Sequence, residues 1–331
     1  MKYILNETPI KTTNGFQMNN ISLDLDLTNK ELSNIEVSDN KNIIVKKEIK
    51  SNYISKIGIK HDKFNFINID VIKDAKNINI DTNLNTNYLV SEININLKEN
   101  TSSSFIINIT GEGYNNLKIK VNAKDNSSSK LLLINNLSKT SKSFISFENE
   151  LGNNSNLTTN FIDLGGEIRL SNYYSKINEY STDTLNNIHI GKNKDIIDMN
   201  YHMESYGKKS NSNIEVAGAL FDETKKSFKG IIDFKEGSDK AIGYENENEL
   251  LFSDKAVSKS LPMLLCHEED VSGTHSVSTG KVDENKLFYL MSKGINEKEA
   301  NKLIMYANFN KILENIDNKE DIIKLIEEKM N

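Results

Sequence analysis

From about Ile43 to His275 the apolar residues of this chain recur at every second position. Ile78/Ile80, Ile93/Ile95/Leu97, Leu117/Ile119/Val121, Ile188/Ile190 and Ile232/Phe234 mark successive short runs. A period of two puts one face of an extended strand against a core. Polar clusters such as KENTSSS, AKDNSSS, LGNNSN and GKKSNSN separate the runs and supply turns through side-chain-to-backbone hydrogen bonds. The region is therefore all-β. Three of the turns are followed by similar triplets, Ser103-Ser104-Phe105, Ser129-Lys130-Leu131 and Ser155-Asn156-Leu157, whose apolar members lie 26 residues apart both times. Leu185 continues the series with a slip of two. A fixed strand-and-turn period suits a β-helix, in which each coil buries its face on the next. A large β-sandwich with coincidental spacing satisfies the same pattern.

After about Val282 the period becomes helical. Asp283 caps DENKLFYLMSKG, and Gly294 stands where a left-handed stop belongs. Asn296 with Glu299 forms a capping-box-like start to a second helix, whose Ala300, Leu303, Ile304 and Ala307 are predicted to share one apolar face. Asp317 and Glu320 repeat the device before a third. The expected division is a β body over residues 1–281, with a short N-terminal strand segment over 1–42, and a small helical module over 282–331.

The 331 residues are 37% hydrophobic and 27% charged, with two Pro and no Trp, which excludes collagen-like, proline-rich and disulfide-scaffold classes. The net charge is -6, and Arg169 is the only Arg among 41 basic residues, so no nucleic-acid partner is expected. One cysteine, Cys266, forms no intramolecular disulfide, and the opening MKYILNETPIKTT has no apolar stretch of signal-peptide length. No apolar run approaches the roughly 20 residues that span a bilayer. A cytoplasmic protein with no membrane association is expected. The Asn-rich stretches are read as genome composition and given no functional weight.

Chemistry-bearing residues gather in one window, from Pro262 to His275, which holds Cys266, His267, Glu268, Glu269 and Asp270. If Met263 to Val271 is extended, Cys266, Glu268 and Asp270 share one face and His267 and Glu269 the other. Thiolate, imidazole and carboxylate together suit iron or zinc better than magnesium or calcium. An exposed acidic turn beside an inert buried cysteine fits the same letters. There is no CxxC pair, no HExxH and no P-loop. His61, His189 and His202 read as ordinary strand or turn positions.

The stretch LPMLLCHEEDVSGTHSVSTGKVDENKLFYLMSKGINEKEA resembles the C-terminal signature of the SufB/SufD family of iron-sulfur cluster assembly proteins, in which a proline-led strand precedes a His and an LFYL-type helix. SFKGIIDFKEGSDKAIGYENENELLFSDKA is similar to the family's preceding strands, and LNETPIKTTNGFQMNN resembles short bacterial members loosely. The resemblance is specific over about Ser227 to Phe309. It implies a right-handed parallel β-helix followed by helices that dock SufC, an ABC-type ATPase. It also implies pairing of two family members, as a homodimer or as a heterodimer with a SufB-like subunit, around a transient iron-sulfur cluster handed on to recipient apoproteins. ATP then enters only through the partner.

Position by position, His275 matches the His that SufD-type subunits present at the pairing interface. Glu247 stands where a SufB-type scaffold has Cys, and Ser276 where it has Glu, so the chain is SufD-like at both. The expected cluster ligands are His275, by the resemblance, and Cys266 as a substitute thiolate, with Glu268 and Asp270 beside them; Leu287, Phe288, Tyr289, Leu290, Leu303 and Ile304 are the expected docking surface. The expected role is a non-enzymatic scaffold. Its rivals are a structural or regulatory ATPase partner without its own metal site, and a β-helix carbohydrate-active enzyme using Glu268 and Asp270.

Overall fold

A computed structural model describes residues 1–12, 18–27 and 30–330; part of the LNETPIKTTNGFQMNN stretch lies outside them. Strands β1 (Lys2–Leu5), β2 (Ile21–Asp24), β3 (Ile35–Val37), β4 (Ile43–Ile54) and β5 (Lys60–Val71) open the chain. There follow β6 (Ala75–Leu84), β7 (Tyr88–Leu97), β8 (Ser102–Gly111), β9 (Tyr114–Ala123), β10 (Ser128–Leu137), β11 (Lys142–Leu151), β12 (Asn156–Asp163) and β13 (Ile168–Ile177). The last are β14 (Thr182–Gly191), β15 (Ile196–Ser205), β16 (Asn211–Leu220), β17 (Lys225–Phe234), β18 (Ile242–Leu251), β19 (Val257–Cys266) and β20 (Ser272–Lys281). Helices α1 (Glu284–Ser292), α2 (Glu297–Leu313) and α3 (Lys319–Met330) end the chain.

From β5 onward the strands alternate between two nine-stranded sheets, β5 to β19 with β4 at its edge and β6 to β20 with β3 at its edge. Pairing within each is parallel apart from β3 and β4, which lie antiparallel to β6 and β5 and close that end. This is a parallel β-solenoid of about eight turns. The sandwich alternative is thereby set aside: from β5 to β18 every strand pairs in parallel with the strand two further along, which no hairpin or Greek-key connection produces.

The repeat is real, but its register differs from the expectation. Phe105, Leu131, Thr159 and Leu185 stack on one rung, and Leu157 stacks on Ser129 and Asp183. Leu157, rather than Leu185, is out of step. Two residues link β8 to β9 whereas four link β10 to β11, so the later coil is two longer.

The corners explain part of the asparagine content. Asn100, Asn126, Asn154, Tyr180, Lys209 and Lys240 occupy equivalent corners with φ between 53° and 58°, a left-handed backbone that Asn tolerates better than most residues. Each donates its backbone N–H to a carbonyl of the next corner, ending with Lys240 to Asp270 at 2.6 Å. The lumen is filled by stacked apolar side chains including Phe105, Phe147, Tyr173, Tyr201 and Phe228.

Outside, β1 and β2 lie on the β5–β19 sheet, where Leu5 and Leu23 pack on Phe144 and Leu170. Asn6 is buried there, its side-chain amide donating to Asp198 Oδ1 at 2.6 Å and its carbonyl accepting from Lys229 Nζ at 3.2 Å. On the opposite sheet α2 and α3 bury Met305, Phe309, Ile312 and Ile322 against Ile134, Ile162, Ile188 and Ile190. The second helix therefore uses a different face from the one expected. Ala300 is buried with Met305 and Phe309, while Leu303 and Ala307 are exposed and Ile304 is half-buried.

Candidate functional site at the open end of the solenoid

The last coil, β19 and β20, has no coil above it, and every residue of β20 except the half-buried Gly280 is exposed. Cys266 closes β19 and is exposed. It stacks on Phe234, whose ring lies in the lumen, so Cys266 takes an inward-facing position of a coil that nothing covers. His275 lies in β20 directly above Glu245. Glu245 also faces the lumen: a Cβ added to Gly230 of the opposite sheet would come within 2.1 Å of its Oε1. The two residues picked out by sequence thus occupy inward positions of one coil, on different sheets, joined by the bend at 267–271.

Glu268 and Asp270 do not share a strand face with Cys266. The strand ends at Cys266 and the chain bends through residues 267–270, so the expected extension to Val271 does not form. The bend is set by hydrogen bonds to the preceding corner. Glu268 accepts from the backbone N–H of Gly237 at 3.0 Å and of Glu269 at 2.9 Å, and these donors hold its carboxyl below the usual glutamate range. Asp270 contributes its carbonyl to the corner ladder.

Beneath this coil the lumen changes from hydrocarbon to charge. Glu245, Glu247 and Glu249 alternate along β18, and all are buried. The fully buried Lys226 ammonium pairs with Glu247 and lies 3.4 Å from Glu249 Oε2; burial, offset by Glu249, pushes it down to about 8. His189, from two coils below, reaches Glu249 at 3.0 Å. Burial raises the Glu249 carboxyl, but His189 and Lys226 together hold it below the ordinary value. Glu245 has no such help: neither oxygen finds a hydrogen-bond donor among the described residues, and burial alone pushes it up to about 8. It is a neutral acid at physiological pH, directly under His275. Sequence reading missed this group, although ENENEL carries a period-two run of glutamates.

The expected docking residues separate into two sets. Tyr289, Leu290, Leu303, Ile304 and Ala307 line one shallow apolar groove of about 460 Å³ between α1 and α2. Leu287 is half-buried and Phe288 is 74% exposed; neither lines that groove. No helix is long and apolar enough to cross a membrane among the described residues.

The profile of the SUF-system FeS cluster assembly SufBD core domain matches residues 68–308. Over 128 residues, 38% of this chain and 29% of the relative, the sequence is 33% identical to the iron-sulfur cluster assembly protein SufD of Bacillus subtilis. Over 145 residues, 44% of this chain and 34% of the relative, it is 28% identical to SufD of Escherichia coli. Over 168 residues, 50% of this chain and 37% of the relative, it is 27% identical to an iron-sulfur cluster assembly SufBD family protein of Pyrococcus horikoshii. The chain spans about a third of the length of the curated relatives it matches.

Proposed function

This chain belongs to the SufBD family of iron-sulfur cluster assembly proteins, and from that premise we propose that it is a cytoplasmic, non-catalytic scaffold subunit on which iron and sulfide are brought together. The observation that carries the reading is the placement of Cys266 and His275 on inward positions of the uncovered last coil. Thiolate is the usual protein ligand of iron-sulfur clusters, and imidazole replaces it in some. One chain offers one of each. Two chains related by a two-fold axis at this end offer four ligands without a CxxC motif.

The open edges of β19 and β20 give a partner backbone groups to pair with, so a second copy or a SufB-like relative covers the edge and completes the ligand set in one step. A SufC-like ABC ATPase docks in the α1–α2 groove, and its ATP-driven closure moves the paired open ends so that a cluster is assembled and passed to apoproteins. Carboxylates at Glu268 and Asp270 serve as weaker, exchangeable ligands at the rim.

Anaerobic reconstitution with ferrous iron and sulfide tests this. Cys266→Ser and His275→Ala should each lower bound iron and sulfide several-fold, and the double variant should lose most of both. Unchanged cluster content in Cys266→Ser would instead support a second reading, a subunit that positions the ATPase and leaves the thiol to its partner. That reading draws on Glu247, which fills the position of the SufB-type cysteine and is paired with Lys226.

A further inference from the structure

We propose that the outer face of the β5–β19 sheet carries a divalent metal site, separate from the open end, built from His202, Glu204 and Asp233, with His267 against the other oxygen of Asp233. His202 and Glu204 alternate on β15, and Glu204 stands in register with Asp233 of β17. His202 Nε2 lies 3.6 Å from Glu204 Oε1 and 3.7 Å from Asp233 Oδ2, and one ligand atom from each of the three residues falls within 4.8 Å of the others. From the next coil, His267 Nε2 lies 3.5 Å from Asp233 Oδ1.

These separations are too long for hydrogen bonds and close to those of atoms sharing a metal. Donors bonded at 2.0–2.2 Å in a tetrahedron are about 3.4 Å apart. Asp233 is only 3% exposed, yet its Oδ1 has no hydrogen-bond partner, and neither has the buried Nε2 of His202. His202 Nε2 lies beside Asp233 Oδ2 and His267 Nε2 beside Asp233 Oδ1, and two orphaned atoms on these neighbouring side chains are costly unless something pairs with them. The hydroxyls of Tyr174 and Tyr206 donate to Glu204 Oε2 at 2.6 and 2.9 Å and leave Oε1 for the site, the outer support that ligating carboxylates commonly receive.

Lys235 is the chain's own stand-in for the ion. Its ammonium lies 3.2 Å from Glu204 Oε1 and 2.6 Å from Asp233 Oδ2, the oxygens a metal would take, and leaves both orphaned atoms unserved. It follows the end of β17 on a flexible side chain with 27% exposure, so it can swing out as a metal enters. One imidazole and two carboxylates, with a fourth position open to water or to a shifted His267, favour zinc or ferrous iron over magnesium or calcium.

The test is titration of the purified full chain with cobalt(II) chloride, followed by visible absorption, and with zinc chloride, followed by calorimetry. One ion per chain with the spectrum of four-coordinate cobalt is expected. His202→Ala and Asp233→Asn should each weaken binding about tenfold or more. Lys235→Met, which removes the competing ammonium, should tighten it, and the Cys266→Ser/His275→Ala double variant should bind as the parent does. Circular dichroism checks each variant's fold. Absence of binding in both the parent and Lys235→Met would overturn the site. So would weaker binding in Lys235→Met, which would make Lys235 the permanent cation, or loss of the ion in the double variant, which would assign it to the open end.

Discussion

His189 and Glu249, 60 residues apart, meet at 3.0 Å across the space left by Gly218. The three stand on successive rungs of one column, and a Cβ on Gly218 would lie 2.2 Å from Glu249 Oε1 and 2.3 Å from His189 Nε2. Gly218→Ala should therefore break a fully buried pair and cost on the order of 3–5 kcal/mol. Urea unfolding measures it. A midpoint equal to the parent's would mean that the column has room the structure does not show.

Glu245 predicts an unusual pH dependence. Below pH 4.5 its carboxyl is protonated in the folded and unfolded chain alike. Between there and about 8 the unfolded chain releases the proton while the folded chain keeps it, so stability falls as pH rises. His61, pushed down to about 4 by burial, works oppositely, but only between about 4 and 6.5. Asp183, Lys226 and Lys329 are shifted as well, but they act in the parent and in Glu245→Gln alike, so the difference between the two chains from pH 7 to 8 reports Glu245. Glu245→Gln should be more stable than the parent there, by on the order of 3 kcal/mol, and the gain should shrink towards pH 5. A gain independent of pH would assign the effect to packing.

Arg169 should be the least replaceable cation in the chain. Its guanidinium is 2% exposed and donates to the carbonyls of Asp163 at 2.7 Å and Ile190 at 2.6 Å while facing the Asp163 and Asp195 carboxylates. Arg169→Met strands two buried carboxylates, and a loss of about 3–5 kcal/mol is expected. The thermal midpoint checks it, with Arg169→Lys falling between the two because ammonium cannot reproduce the planar fork.

Deleting 282–331 is a poor test of ATPase docking, because it uncovers Ile134, Ile162, Ile188 and Ile190 and should give an aggregating body. Leu303→Asp with Tyr289→Asp is cleaner. Both side chains are exposed, so stability should move by less than about 0.5 kcal/mol for each while co-purification with a SufC-like ATPase is lost. Retained co-purification would place docking outside the α1–α2 groove.

The strands and their turns were legible because a period of two survives wherever one strand face meets a hydrocarbon lumen, as at Ile93, Ile95 and Leu97. The slip at Leu157 was not. A leucine there mimics a rung that the longer corner between β10 and β11 had already displaced. Cys266 stood out as the one cysteine, and His275 through the family resemblance. The buried row at Glu245, Glu247 and Glu249 was hidden because alternation shows that three glutamates share a face without saying which face. The α2 face was misjudged for a related reason: that helix is apolar on two sides, one for its own sheet and one for the groove.

The antiparallel return of β4 onto β5 closes the end of the solenoid that a ribosome makes first. Each later coil then emerges next to an edge already formed, and the corner ladder from Asn100 to Lys240 hands each new turn its register from the turn before. During synthesis the growing edge of each sheet travels with the nascent chain until β19 and β20 leave it at the finished tip. A growing β-helix is a hazard of mispairing along its whole length; here that hazard moves with the growing sheet edges and comes to rest at the open end proposed above to meet a partner.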